Sequence, residues 1–205
     1  MINNNASVVD KTYFDQLAKC DPKEICRQTS CKYDEKSKKY TISVWGDDYD
    51  IYPHEFKIDC IKNGNWDPHE FFYLFIIFYL LNFKDVKITN KWISEKDIPG
   101  GTTFFRGPHK IPTSIISKQY KNDIKAFGKR CIELGGTLLD LADAAYGFDI
   151  VPQIPIAVLY FEGDEDFLPE AKILYDKTMI DYLPSDVLFS LAVEVCARVG
   201  NASIS

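Results

Sequence analysis

The stretch EGDEDFLPEA, residues 162–171, sets five carboxylates in ten positions directly behind the apolar run PIAVLYF. Acids crowded at the end of a buried strand have three chemical uses. Their repulsion raises one pKa and makes a general acid, their oxygens gather a hard cation, or their charge keeps a hairpin tip in water. Asp164, Glu165 and Asp166, which follow Gly163, are the residues that would do this work. The run lacks the D-x-[DN]-x-[DN]-G order of an EF-hand loop, so a solvated tip is its simplest reading.

A second group sits in PGGTTFFRGPH, residues 99–109. The paired glycines Gly100 and Gly101 let backbone amides approach an anion. Arg106 can hold a carboxylate or phosphate through two parallel hydrogen bonds, with Phe105 and His109 beside it. The plainer alternative is a tight turn whose glycines supply positive φ, with Arg106 on the surface. Taken together, Gly100, Gly101, Phe105, Arg106, His109, Asp164, Glu165 and Asp166 are the ligand-binding candidates, expected to face one cleft.

Metal chemistry has little support. His54, His69 and His109 are scattered, with no H-x-x-x-H pair. Cys20, Cys26 and Cys31 follow C-x5-C-x4-C, which is not zinc-knuckle spacing, and they read as plain thiols. Cys131 and Cys196 lie on apolar helix faces and read as small core hydrophobes. No G-x-S-x-G, Walker loop or G-x-G-x-x-G is present. Hence no metal is expected, no catalytic residue is assigned and the cofactor is unknown.

The elements that must position these residues follow from periodicity. Residues 11–29 predict two short helices divided at Asp21-Pro22, a cap followed by a first-turn proline. KYTISVWGDDYDIYPHEFKI alternates around Gly46-Asp47-Asp48 and predicts a hairpin, with Tyr40, Ile42 and Val44 on one face. WDPHEFFYLFIIFYLLNF predicts a buried helix, capped by Asp67, with Pro68 first and Glu70 completing a capping box. The Gly- and Pro-rich stretch 84–114 allows short strands near Trp92–Ile93 and Thr102–Phe105. Ile116, Tyr120, Ile124, Phe127, Cys131 and Leu134 predict one amphipathic helix stopped by Gly135-Gly136, with Lys118, Lys121, Lys125 and Lys129 on its solvated face. The stretch 137–155 is open between helix and strand. PIAVLYF and AKILYD predict a hairpin joined by the acidic segment, and a last helix runs from about residue 184 to 199. The pattern is α+β: a single domain over 1–205 with a mostly antiparallel sheet built from hairpins, packed with a buried central helix and amphipathic helices, behind a flexible tail at 1–10.

Composition narrows the classes. With 24 basic and 30 acidic side chains the formal charge is −6, which argues against a nucleic-acid partner. The most apolar run, FFYLFIIFYLL, is far short of the ~20 residues that span a bilayer. The opening residues carry no positive n-region or apolar h-region. A cytoplasmic protein with reduced cysteines, no membrane and no nucleic acid is expected.

Read in order, IPGGTTFF at 98–105, LGG at 134–136, DAA at 143–145, VPQIPIAVLYFEGDEDF at 151–167 and ILYD at 173–176 resemble domain-of-unknown-function family 3786. The hairpin YDEKSKKYTISVWGDDYDI is similar to that family's start, so the resemblance covers most of the chain. It implies a protein of anaerobic bacteria or archaea. Some members resemble fusions with an N-terminal iron–sulfur module of the kind seen in corrinoid one-carbon proteins, whose four-cysteine pattern is missing here. The family has no established activity, so the resemblance implies context and no catalytic residues. The expectation is a soluble domain binding a small anionic molecule or cofactor in anaerobic, corrinoid or redox metabolism. Two alternatives stay open. One is an enzyme in which Asp164 or Glu165 moves protons while Arg106 holds the substrate. The other is a ligand-free accessory protein that docks on a redox or corrinoid partner through Phe104 and Phe105.

Overall fold

The computed structural model describes residues 9–61 and 66–202. The architecture is mixed α+β with antiparallel sheets made of hairpins, as the patterning predicts, and the chain divides into two compact units, Met1–Val86 and Lys87–Ser205. Most of the expected tail, residues 1–8, lies outside the described residues. Val9 is buried and Asp10 already caps the first helix.

In the first unit, α1 (Lys11–Lys19) and α2 (Pro22–Thr29) begin where short acidic side chains satisfy otherwise unpaired amides. The Asp10 carboxylate accepts the Thr12 amide at 2.8 Å, and that of Asp21 accepts the Lys23 amide at 3.0 Å. Four strands, β1 (Lys32–Asp34), β2 (Lys39–Val44), β3 (Asp47–Tyr52) and β4 (Lys57–Ile61), form an antiparallel meander in that order. Tyr40, Ile42 and Val44 are buried as their alternation requires. Val44 pairs with Asp47, so the turn is Trp45-Gly46, one residue earlier than expected. Both residues have positive φ, 47° and 85°, the requirement of a type I′ hairpin turn.

Helix α3 (Phe72–Asn82) buries seven of its side chains, and Phe75 and Ile76 have no exposed surface. It starts four residues later than the capping pattern at Asp67 predicts. The His69 Nδ1 accepts the Phe71 amide at 3.2 Å and the His69 carbonyl accepts that of Phe72 at 2.9 Å. The imidazole thus accepts an amide just ahead of the helix, whose N-cap position, Phe71, has no side-chain cap.

In the second unit, β5 (Trp92–Ile93) is followed by a short helix α4 (Gly101–Phe104), then α5 (Ser114–Tyr120) and α6 (Ile124–Glu133). Strands β6 (Thr137–Leu139), β7 (Ala144–Asp149), β8 (Pro155–Phe161) and β9 (Glu170–Asp176) precede α7 (Ser185–Gly200). The sheet order is β5-β9-β8-β7-β6, antiparallel throughout. One face carries Phe148, Ile156, Val158, Tyr160, Ile173 and Tyr175, all buried. Every residue of α7 from Val187 to Gly200 is buried, a wider surface than the stripe of five read from the sequence.

Two expectations change here. The strand expected at Thr102–Phe105 is helical, because Gly100 turns the chain at φ 75° and its carbonyl accepts both the Thr103 and Phe104 amides at 3.0 Å. The single helix expected over 116–134 is two. The Tyr160 hydroxyl donates to the Lys121 carbonyl, Lys121 takes φ 51° and ψ −121°, and the Asp123 side chain restarts the helix by accepting the Ala126 amide at 2.9 Å. Four of its six apolar positions, Ile116, Tyr120, Phe127 and Cys131, are core, while Ile124 and Leu134 are half-buried. Among the described residues no helix is long and apolar enough to cross a membrane.

Candidate functional site

The acidic stretch is the connection between β8 and β9, with Phe161 paired to Glu170 on either side of it. Its conformation uses its own charges. Asp164 Oδ1 accepts the amides of Asp166 and Phe167 at 2.9 and 2.8 Å, and the Phe167 carbonyl accepts the Asp164 amide at 2.9 Å. Asp164, Glu165 and Asp166 are otherwise exposed. The turn is anchored from outside by Asn122, whose side chain both donates to the Gly163 carbonyl at 3.0 Å and accepts its amide at 2.9 Å.

The other candidates form a compact turn. Gly100 supplies positive φ, while a Cβ on Gly101 would lie 1.9 Å from the Glu95 carbonyl oxygen, so its hydrogen is a packing necessity. Phe105 is buried and Arg106 is exposed. His109 stacks on Phe104 with ring centres 4.5 Å apart and meets the edge of Phe189 at 5.4 Å.

These two groups do not share a cleft. β5, which leads into the Arg106 loop, pairs with the last residues of β9, Trp92 with Asp176 and Ile93 with Tyr175. His109 holds the loop against Phe189, next to Leu188, whose carbonyl accepts the Tyr175 hydroxyl at 3.3 Å. The acidic turn lies beyond the opposite end of β9. Six residue steps along that strand place the two ends about 20 Å apart. The expected pairing of Arg106 with Asp164, Glu165 and Asp166 is thus replaced by two separate features. Nor is Phe105 free to anchor a partner, whereas Phe167 and Leu168 in the acidic turn are exposed, at 71% and 90%.

Side chains that do converge lie along α6 and the start of β7, around a groove of about 600 Å³. Ile124, Lys125, Gly128, Lys129, Ile132 and Glu133 form one helical face of it, and Asp143, Ala144 and Tyr146 the other wall. Gly128 makes the floor. A Cβ there would stand 2.7 Å from the Tyr146 hydroxyl, so only glycine lets that phenol reach the groove. Tyr146 is 8% exposed, and the part that reaches the groove includes its hydroxyl. Its ring is fixed by an edge contact with Phe127, which itself stacks on Tyr160.

The charges of the groove are unevenly matched. Asp143 accepts the Glu162 amide at 2.9 Å, and Glu133 lies 3.9 Å from the Arg130 guanidinium. Lys125 and Lys129, one helical turn apart and exposed, form no ion pair among the described residues. The groove therefore presents two ammonium groups and a phenol beside the carboxylates of Glu133 and Asp143, which have partners of their own, with apolar surface between them. Behind it, burial pushes the Cys131 thiol up to about 12, so this cysteine is a packing group and no nucleophile. No group of three or more His, Cys, Asp or Glu side chains is placed to hold a metal among the described residues. Sequence reading classed Lys125 and Lys129 as a solvated face; the available signal was Gly128, a residue that costs a helix interior ~1 kcal/mol relative to alanine.

Residues 21–198 match the model of a family described as a domain of unknown function (DUF3786), and the chain belongs to that family. No curated protein and no solved structure matches it.

Proposed function

We propose that this protein binds a small anionic molecule with an apolar or planar body in the groove between α6 and β7. One observation carries the reading: Gly128 leaves room for the Tyr146 hydroxyl to line the groove beside Lys125 and Lys129, which form no ion pair among the described residues. The Tyr146 hydroxyl reaches the groove and can donate one hydrogen bond to an acidic group held there. The volume falls within the range of small-molecule sites, and charge-assisted bonds from Lys125 and Lys129 would orient an acidic group. Anaerobic redox or one-carbon metabolism is the setting that family membership suggests.

Native mass spectrometry of freshly purified protein tests this. A retained anion is expected, and Lys125→Ala with Lys129→Ala should reduce its retention at least about tenfold, the effect of losing ~1.4 kcal/mol of binding. Tyr146→Phe, which preserves the ring packing, should weaken retention as well. Retention unaffected by both variants would refute the assignment.

A second reading, an accessory protein docking on a redox or corrinoid protein, is favoured by Phe167 and Leu168 standing exposed among the five acids of the stretch 162–171. An apolar pair with a charged rim is the composition of an interface anchor. Co-purification of a partner that persists in Phe167→Ser/Leu168→Ser would remove this reading. Persistent emptiness of the groove would favour it.

A further inference from the structure

The cysteines near the N-terminus were read as plain thiols, yet the fold brings two of them into contact. Cys26 lies in the last turn of α2 and Cys31 just beyond its end. Ser30 caps that helix in the left-handed region, at φ 58°, with its amide donating to the Cys26 carbonyl at 3.1 Å. This reversal carries residue 31 back over residue 26. The Cys31 thiol then donates a hydrogen bond to Cys26 Sγ at 3.3 Å.

The two sulfurs differ in the ways that matter for exchange chemistry. Cys26 is partly exposed and Cys31 is 6% exposed. Burial pushes the Cys31 thiol up to about 12, so it keeps its proton and directs it at its neighbour. Cys26, reachable from solvent and in contact with the second sulfur, is the one an incoming reactant meets first. A disulfide needs sulfurs about 2.05 Å apart, and small side-chain rotations close that gap from the observed separation.

We propose that Cys26 and Cys31 form a thiol–disulfide exchange site whose reactant is a low-molecular-weight disulfide. The Cys26 thiolate attacks one sulfur of the reactant, its own proton having gone to water. A mixed disulfide forms and one small thiolate leaves. Cys31 then gives up its proton to solvent and attacks Cys26 Sγ, expelling the second thiolate. Overall, the protein dithiol and one disulfide become the protein disulfide and two small thiols, so the electrons taken from the cysteines reduce the reactant. The high proton affinity of Cys31 makes this second step the slow one.

Oxidised glutathione is the probe. After equilibration with it and alkylation of the remaining thiols, the wild-type peptide spanning both residues should be unalkylated and lighter by two hydrogens. Cys31→Ser should accumulate a glutathione mixed disulfide at Cys26, and Cys26→Ser should give neither product at Cys31. Cys31→Ala is made in parallel, and far-UV circular dichroism establishes which variant is folded. The wild-type measurement decides even if neither is. The proposal is overturned if Cys26 and Cys31 both stay open to alkylation in the wild type. It is also overturned if glutathione loads Cys20 or Cys60 as readily as Cys26, or if the mixed disulfide accumulates equally with and without Cys31.

Discussion

Helix α7 contains an ion pair that should dominate the stability of the second unit. Arg198 Nε donates to Glu194 Oε1 at 2.6 Å, with side-chain exposures of 5% and 0%. Consider Glu194→Gln, which preserves size and shape but removes the charge. Two unit charges about 4 Å apart attract by roughly 4 kcal/mol at an effective dielectric of ~20. Removing one partner of a buried pair also leaves the other's desolvation uncompensated, and such changes cost ~3–5 kcal/mol. For a chain of this length that corresponds to a fall in Tm of about 6–20 °C. Urea unfolding followed by circular dichroism measures it, read as a lower midpoint at unchanged slope. The companion variant Glu194→Leu with Arg198→Met replaces both charges by apolar groups and should recover most of the loss. If Glu194→Gln costs less than ~1 kcal/mol, or if the double variant loses as much as the single ones combined, the pair is not the coupled buried unit inferred here.

Two smaller effects follow from side chains that organise backbone. At Asp176 burial raises the carboxyl pKa, but hydrogen bonds from the hydroxyls and amides of Thr178 and Thr89 outweigh it, and the net value lies below the ordinary 3.8. A depressed carboxylate contributes stability that is fully present above the ordinary value and is lost as pH falls through the folded one. Wild type should therefore lose its advantage over Asp176→Asn below about pH 4, and a constant difference in urea midpoint across that range would contradict this. At the acidic turn, Asp164→Asn should leave the urea midpoint within error, since an amide oxygen can accept the same two amides. Asp164→Ala should speed hydrogen exchange of the Asp166 and Phe167 amides about fivefold or more, and unchanged exchange would show that the turn folds without that side chain.

Much of the secondary structure was legible because its causes are local. Asp10 and Asp21 cap helices through amides two residues away, and an alternating pattern with a glycine turn makes the β2–β3 hairpin in any context. The all-apolar run of α3 and the strands flanking the acidic segment were likewise written in composition and period. One error marks where distant atoms outweigh neighbours. The helix expected over 116–134 is interrupted because Tyr160, about forty positions on, binds the Lys121 carbonyl. The expected strand at Thr102–Phe105 fails for a local reason instead: Gly100 turns the chain and its carbonyl accepts the Thr103 and Phe104 amides.

Location of the sites was decided by tertiary structure alone. Arg106 and Asp164 are complementary in charge, and nothing in their own stretches forbids a shared cleft. Their separation comes from the pairing of Trp92 with Asp176, a contact 84 positions apart that sends the Arg106 loop to one end of β9 while the acids leave from the other. In the same way, Lys125 and Lys129 line a groove with Tyr146 only once α6 lies on β7 and Gly128 admits the Tyr146 hydroxyl. Residue types set which chemistry is available and short-range spacing sets which elements form. Strand register between remote segments sets which side chains meet, because a buried sheet satisfies its backbone hydrogen bonds and buries its apolar face in one alignment only.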